Sequence, residues 1–196
     1  MEQFNVYFQV GLAHITDIRG YDHILFIIAL CAVYFPRNAR PLLLLITAFT
    51  LGHSITLALA TFDIVQIDSQ LIEMLIPVTI IITALFNFQR PRRGLQKVKQ
   101  KHYLRYLLAA FFGLIHGLGF SNYLKTLLLQ SQSITIPLLA FNVGLEVGQI
   151  LVVLVLLILC FIFVYIFKLK ERDWTIFLSG ISFGVALSIL IEKLLN

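Results

Sequence analysis

The side chains able to do chemistry in this 196-residue chain are few, and they stand in apolar surroundings. Asp22-His23, Gly52-His53-Ser54 and the stretch Phe112-Gly113-Leu114-Ile115-His116-Gly117-Leu118-Gly119-Phe120 each set an imidazole inside a hydrophobic segment. His14, Glu73 and Glu146 add another imidazole and two carboxylates. Asn142, Glu146 and Gln149 recur at i, i+4 and i+7, which is one helix face, and Thr50, His53 and Ser54 share a face by the same rule. An acid at the centre of a bilayer costs about 2.5–3.5 kcal/mol on the insertion scale, so such groups face a bundle interior or a wet cavity and pair there. Imidazole nitrogen and carboxylate oxygen together suit a divalent zinc, nickel, cobalt or iron ion. Cys31 and Cys160 lie in two different apolar segments, toward the opposite half of the bilayer from this set. A soft copper(I) site is therefore disfavoured, and no disulfide framework is expected.

Asp22, His23, His53, His116, Glu73, Glu146 and His14 are accordingly the candidate metal ligands. Ser54, Asn142 and Gln149 are candidates to hydrogen-bond those ligands into place. Each also has a plainer reading. A neutral histidine bonds across helices, Glu73 sits near a helix N-terminus where the dipole favours an anion, and Asn142 or Gln149 acts as polar glue. His102 belongs to a basic stretch and is set apart.

The elements that must position these groups are membrane helices. The chain is 59% hydrophobic and 13% charged, with a mean hydropathy of +0.92. A soluble domain carries about 25% charged residues, and several apolar runs here approach the ~20 residues that span hydrocarbon. The expected fold class is an all-α integral membrane protein with a single polytopic domain. An amphipathic interfacial helix is expected over about 3–18, with Phe4, Tyr7, Phe8, Leu12 and Ile15 on its apolar face. Six spans follow at about 21–35, 41–61, 69–89, 103–121, 135–167 and 174–194. The first is short and is read either alone or joined to the preceding segment as one bent element, and the fourth either ends at 121 or continues to 129. The fifth exceeds one span, so tilt, protrusion or a break near Gly144 or Gly148 is expected. Gly113/Gly117 and Gly180/Gly184 read as small-residue packing pairs. No internal repeat stands out.

The net charge of +5 is placed by topology rather than by a nucleic-acid partner. Regions 36–41, 90–105 and 168–172 hold twelve Lys and Arg residues, against three (Arg19, Lys125 and Lys193) on the side of the termini. Basic loops are cytoplasmic, so both termini are expected to be extracytoplasmic. At about 1.5 Å of rise per residue, the candidate ligands then fall in the outer half of the bilayer, with His116 roughly 8 Å deep.

The strings GLAHITDIRGYDHILFIIAL, FTLGHSITLALA, IEMLIPVTIIITALFN, FFGLIHGLGFS and FNVGLEVGQI, in this order over about residues 11–150, resemble the HupE/UreJ family of bacterial membrane proteins. The likeness is mainly to the branch that carries GLIHGLGF. It implies a multi-pass protein of the bacterial cytoplasmic (inner) membrane in contact with lipid. It also implies nickel or cobalt permease activity, or a hydrogenase or urease accessory role with maturation partner proteins. The family's histidine and acid positions carry over to Asp22, His23, His53 and His116, then to Glu73 and Glu146. Two further readings stand beside the permease. One is a zinc-dependent intramembrane hydrolase or transferase, acting on a lipid or membrane-embedded substrate from the extracytoplasmic side, with Glu73 or Glu146 as general base. The other is a metal-stabilised accessory subunit.

Overall fold

The protein was analysed as a computed structural model that describes residues 2–17, 20–89, 101–128 and 134–195. All regular structure among them is helical: α1 (Glu2–Thr16), α2 (Asp22–Cys31), α3 (Ala39–Thr61), α4 (Ser69–Phe88), α5 (Lys101–Leu128), α6 (Thr135–Cys160) and α7 (Glu171–Leu195). A 3-10 turn, Pro36–Asn38, leads into α3, and α6 widens into π-helical turns over Phe161–Ile166. Five of these helices are long and apolar enough to cross a membrane. Their outward faces carry apolar residues such as Leu151, Leu154, Val155 and Ile158, a surface suited to lipid rather than water. Most of the basic stretch over 90–101 lies outside the described residues.

Two helix pairs meet backbone to backbone. A Cβ on Gly11 of α1 would overlap the carbonyl oxygen of Phe141 in α6, and a Cβ on Gly144 would overlap that of Phe8. The second pair repeats the arrangement, with Gly52 of α3 against the carbonyl of Ala110 in α5 and Gly113 against that of Phe49. One turn further along, Gly148 meets Leu12 and Ile15, and Gly117 meets His53 and Thr56, so residue numbers rise together and each pair is parallel. Bilayer lipid supplies no hydrophobic drive between helices, and close packing of small residues takes its place. The third main pair, α4 with α7, is antiparallel, since Glu73 meets Lys193 at one end and Asn87 meets Ser179 toward the other.

Several expectations are corrected here. The segment expected at the interface is helical, but it packs lengthwise along the membrane-length α6. It is followed by α2, which runs the same way. Tyr7 reaches Leu127 while His14 lies against Phe120, so α1 is antiparallel to α5. Helix α4 is antiparallel to α5 as well, through Ser69 with Asn122 and Thr79 with His116. Helix α2 is antiparallel to α7 and therefore parallel to α4, through Ser182 on Leu25 and Thr175 on Ala32. Helix α6 does not break at Gly144 or Gly148, because both glycines receive the α1 backbone or its side chains. Helix α5 continues to Leu128, so His116 stands twelve residues, about 18 Å, from its end and near the middle of the apolar span Tyr103–Leu128. Gly180 and Gly184 face open space rather than a packed helix.

The two kinds of glycine make opposite predictions. Gly52→Ala and Gly144→Ala each force a backbone apart and should destabilise the protein by about 1–3 kcal/mol or more. Gly180→Ala and Gly184→Ala should be neutral or stabilising by up to about 1 kcal/mol, through helix propensity alone. Thermal unfolding in detergent measures both, and equal effects at the two kinds of site would contradict the close approach.

Candidate metal centre

The helix pairs bring four histidines together from four helices. His14 stands three residues after Gly11 on α1, His53 directly follows Gly52 on α3, and His116 stands three residues after Gly113 on α5. His23 opens α2 where the chain resumes after α1. Ring centroids are 4.5 Å apart for His14–His23, 5.1 Å for His23–His116, 6.1 Å for His23–His53 and 6.2 Å for His14–His53. One ring nitrogen from each of His14, His23 and His53 lies within 4.8 Å of the other two. A point among three such atoms is no more than about 2.8 Å from each, against the ~2.0 Å of a metal–imidazole bond. Small rotations of the rings close that gap.

The hydrogen bonds fix which nitrogens are free. The Asp22 carboxylate lies 3.0 Å from His23 Nδ1. A carboxylate only accepts, so Nδ1 carries the proton and Nε2 keeps its lone pair. The Thr79 hydroxyl donates to the Ile76 carbonyl at 2.7 Å, so its oxygen accepts from His116 Nε2 at 3.0 Å, which leaves the lone pair on His116 Nδ1. His14 Nε2, His23 Nε2, both nitrogens of His53 and His116 Nδ1 are all buried without a hydrogen-bond partner. Buried polar atoms are paired in all but a few cases, because an unpaired one costs about 1–3 kcal/mol. One nitrogen of His53 keeps its proton, so these five atoms offer four lone pairs on neighbouring rings, a set of donors suited to a metal ion. Phenylalanines wall the cluster: Phe120 against His14 at 3.8 Å, Phe26 and Phe49 against His116 at 4.9 and 5.2 Å, and Phe141 beside His14 and His53.

The other expected site residues are placed differently. Glu73 is 48% exposed and pairs with Lys193. Glu146 accepts from the Thr47 hydroxyl at 3.0 Å, Gln149 accepts from Thr50 at 2.6 Å, and Ser54 donates to Asn142 at 2.6 Å. These last six residues form a polar seam between α3 and α6, flanking His53 along α3. Neither Glu73 nor Glu146 bonds to a histidine. Thr79, which sets the tautomer of His116, stands out in the sequence only as one polar residue of the expected cytoplasmic half, with Thr47, Thr83 and Asn87. A threonine in an apolar helix gives no sign of its partner.

The model of one protein family, described as HupE / UreJ protein, matches residues 1–193. No curated protein and no solved structure matches the chain.

The Thr79–His116 contact makes its own prediction. Thr79→Val keeps the shape but leaves the His116 N–H buried and unpaired, which should cost about 1–3 kcal/mol of stability in thermal unfolding. Thr79→Ser keeps the acceptor and should recover most of that loss. An unchanged Thr79→Val protein would refute the assigned tautomer.

Proposed function

The chain belongs to the HupE/UreJ family, and we propose that it is a nickel or cobalt permease whose cation binds at His14, His23, His53 and His116. The observation that carries this reading is the group of five unpartnered imidazole nitrogens on rings that already touch. The family suggests nickel or cobalt handling, and a nitrogen-rich set without thiolate suits nickel, cobalt or zinc. Asp22 holds His23 in the tautomer that offers Nε2, the carboxylate–histidine pairing that recurs around protein-bound metals. The phenylalanine walls keep water out, so the ion exchanges its hydration shell for imidazoles.

On this reading α1 and α2 together make one interrupted crossing, and the chain crosses the membrane six times with both termini extracytoplasmic. The basic residues of 36–41 and 168–172 then meet the cytoplasmic face. There Arg37 pairs with Glu171 and ties the start of α3 to that of α7. The interruption exposes His23 and Asp22 at the start of a half-helix inside the bundle, a placement that discontinuous transporter helices use for substrate. The zinc-hydrolase reading draws less support, because neither carboxylate expected as general base reaches the histidines.

Purified protein should bind nickel or cobalt near-stoichiometrically by equilibrium dialysis and carry it into proteoliposomes. His23→Ala and His53→Ala should each weaken binding by more than about a hundredfold, and Asp22→Asn by about 10- to 100-fold. Glu73→Gln should leave binding unchanged. Undiminished metal in His23→Ala and His53→Ala would reduce the cluster to a hydrogen-bond network. Tight zinc with turnover and no flux would favour the hydrolase.

A further inference from the structure

The pairing of helices has an order that the chain order explains. Counting α1–α2 as one crossing, the crossings are first α1–α2, second α3, third α4, fourth α5, fifth α6 and sixth α7. The main contacts join first to fifth, fourth to second and third to sixth. Exchanging each crossing with the one three places later turns the first contact into the second and the third into itself. Three is odd, so exchanged crossings run oppositely. The contacts agree: α1 is antiparallel to α5, α4 to α7, and α3 to α6 through Ser54 with Asn142 and Thr50 with Gln149.

The sequence carries the same correspondence. Gly-Leu-Ala-His at 11–14 on α1 answers Gly-Leu-Ile-His at 113–116 on α5. Phe-Thr-Leu-Gly at 49–52 on α3 answers Phe-Asn-Val-Gly at 141–144 on α6. In both pairs, each glycine lies against the carbonyl of the residue three before the other glycine. Every Gly-Leu-x-His helix of one half therefore packs on the Phe-x-x-Gly helix of the other.

We infer that the chain is an inverted repeat of two three-crossing halves, and that the polar seam between α3 and α6, on the repeat's axis, is the route by which the cation leaves the histidines for the opposite face. The choice of a metal as cargo and the counting of α1–α2 as one crossing rest on the proposed function; the paired glycine contacts do not. An inverted repeat makes the two faces of the membrane structurally equivalent, so a site at its centre opens to either side as the halves rock against each other. The seam holds what a departing cation needs. Thr47 and Glu146 offer a hydroxyl and a half-buried carboxylate, and Gln149 and Asn142 add side-chain carbonyl oxygens that here accept from Thr50 and Ser54. Ser54 stands one residue beyond His53 along α3, and Thr47 stands six residues, about 9 Å, before it.

The test uses two single cysteines on this one helix, Ser54→Cys and Thr47→Cys, in full-length protein carrying Cys31→Ser and Cys160→Ser. A membrane-impermeant maleimide is applied to intact cells and to inside-out vesicles. Ser54→Cys should react from the face of the termini and Thr47→Cys from the opposite face. In protein shown by dialysis to bind nickel, saturating nickel should change the two rates in opposite directions by threefold or more. Reaction of both from one face, or no reaction of Thr47→Cys from the far face, overturns the route. Parallel rate changes overturn the rocking. Reaction from two faces in protein that binds no nickel would sink the metal reading and leave the two-faced repeat standing.

Discussion

Where a helix carries glycine and its neighbour presents a carbonyl, the two axes approach as closely as backbones allow. In this protein that contact occurs at Gly11, Gly52, Gly113 and Gly144, and it positions the histidines. His14, His53 and His116 sit within three residues of those glycines, so the distance between backbones sets the distance between rings. A side chain at any of the four would move a whole helix, and with it a ring that now lies within about an ångström of coordinating geometry. Bulky rings of Phe26, Phe49, Phe120 and Phe141 then fill the space that close backbones leave around the cluster. Packing and chemistry are thus one constraint.

The all-helical class with membrane-length apolar helices was legible from composition and apolar run length, and the imidazoles stood out by the rarity of polar groups around them. Position was less so. Phe4, Tyr7, Phe8, Leu12 and Ile15 make one apolar stripe whether α1 lies on a membrane or against α6, and periodicity cannot separate the two. Helices α1 and α2 are each too short to span hydrocarbon, so the sequence leaves open whether they form one bent element, and in the structure they run in the same direction. The depth of His116 depends on whether the helix ends after Phe120 or continues to 129, and the structure takes the longer course, through Asn122 and Lys125, which find Ser69 and Asp63 as partners. The Lys125 ammonium beside it also holds the Asp63 carboxyl below its usual range, an ion pair at the rim of the bundle that local sequence does not reveal. Glu73 looked like a ligand for the same reason. Its partner, Lys193, is 120 residues away.

The repeat was visible in principle and still easy to miss. Its two signatures are four residues long, and the halves differ where function differs. Position 53, after the glycine of α3, is a histidine, and the matching position on α6 is Leu145. Glu146 on α6 matches Ser54 on α3. Divergence of this kind erases a repeat from sequence while the helix contacts keep it.

That asymmetry bears on how a cation is moved. On the proposed function, the two positive charges of a cation among neutral imidazoles in an apolar bundle would be half compensated by one hydrogen-bonded carboxylate, Asp22, acting through His23. On the proposed route the next carboxylate is Glu146, on the seam toward the opposite face and held only by a threonine hydroxyl. An ion partly compensated at one station and offered an anionic oxygen at the next has reason to move. An ion bound by several carboxylates at the centre would not. On the proposed function, the placing of Glu146 on the seam, rather than beside the histidines where a hydrolytic base belongs, favours a path over a reaction.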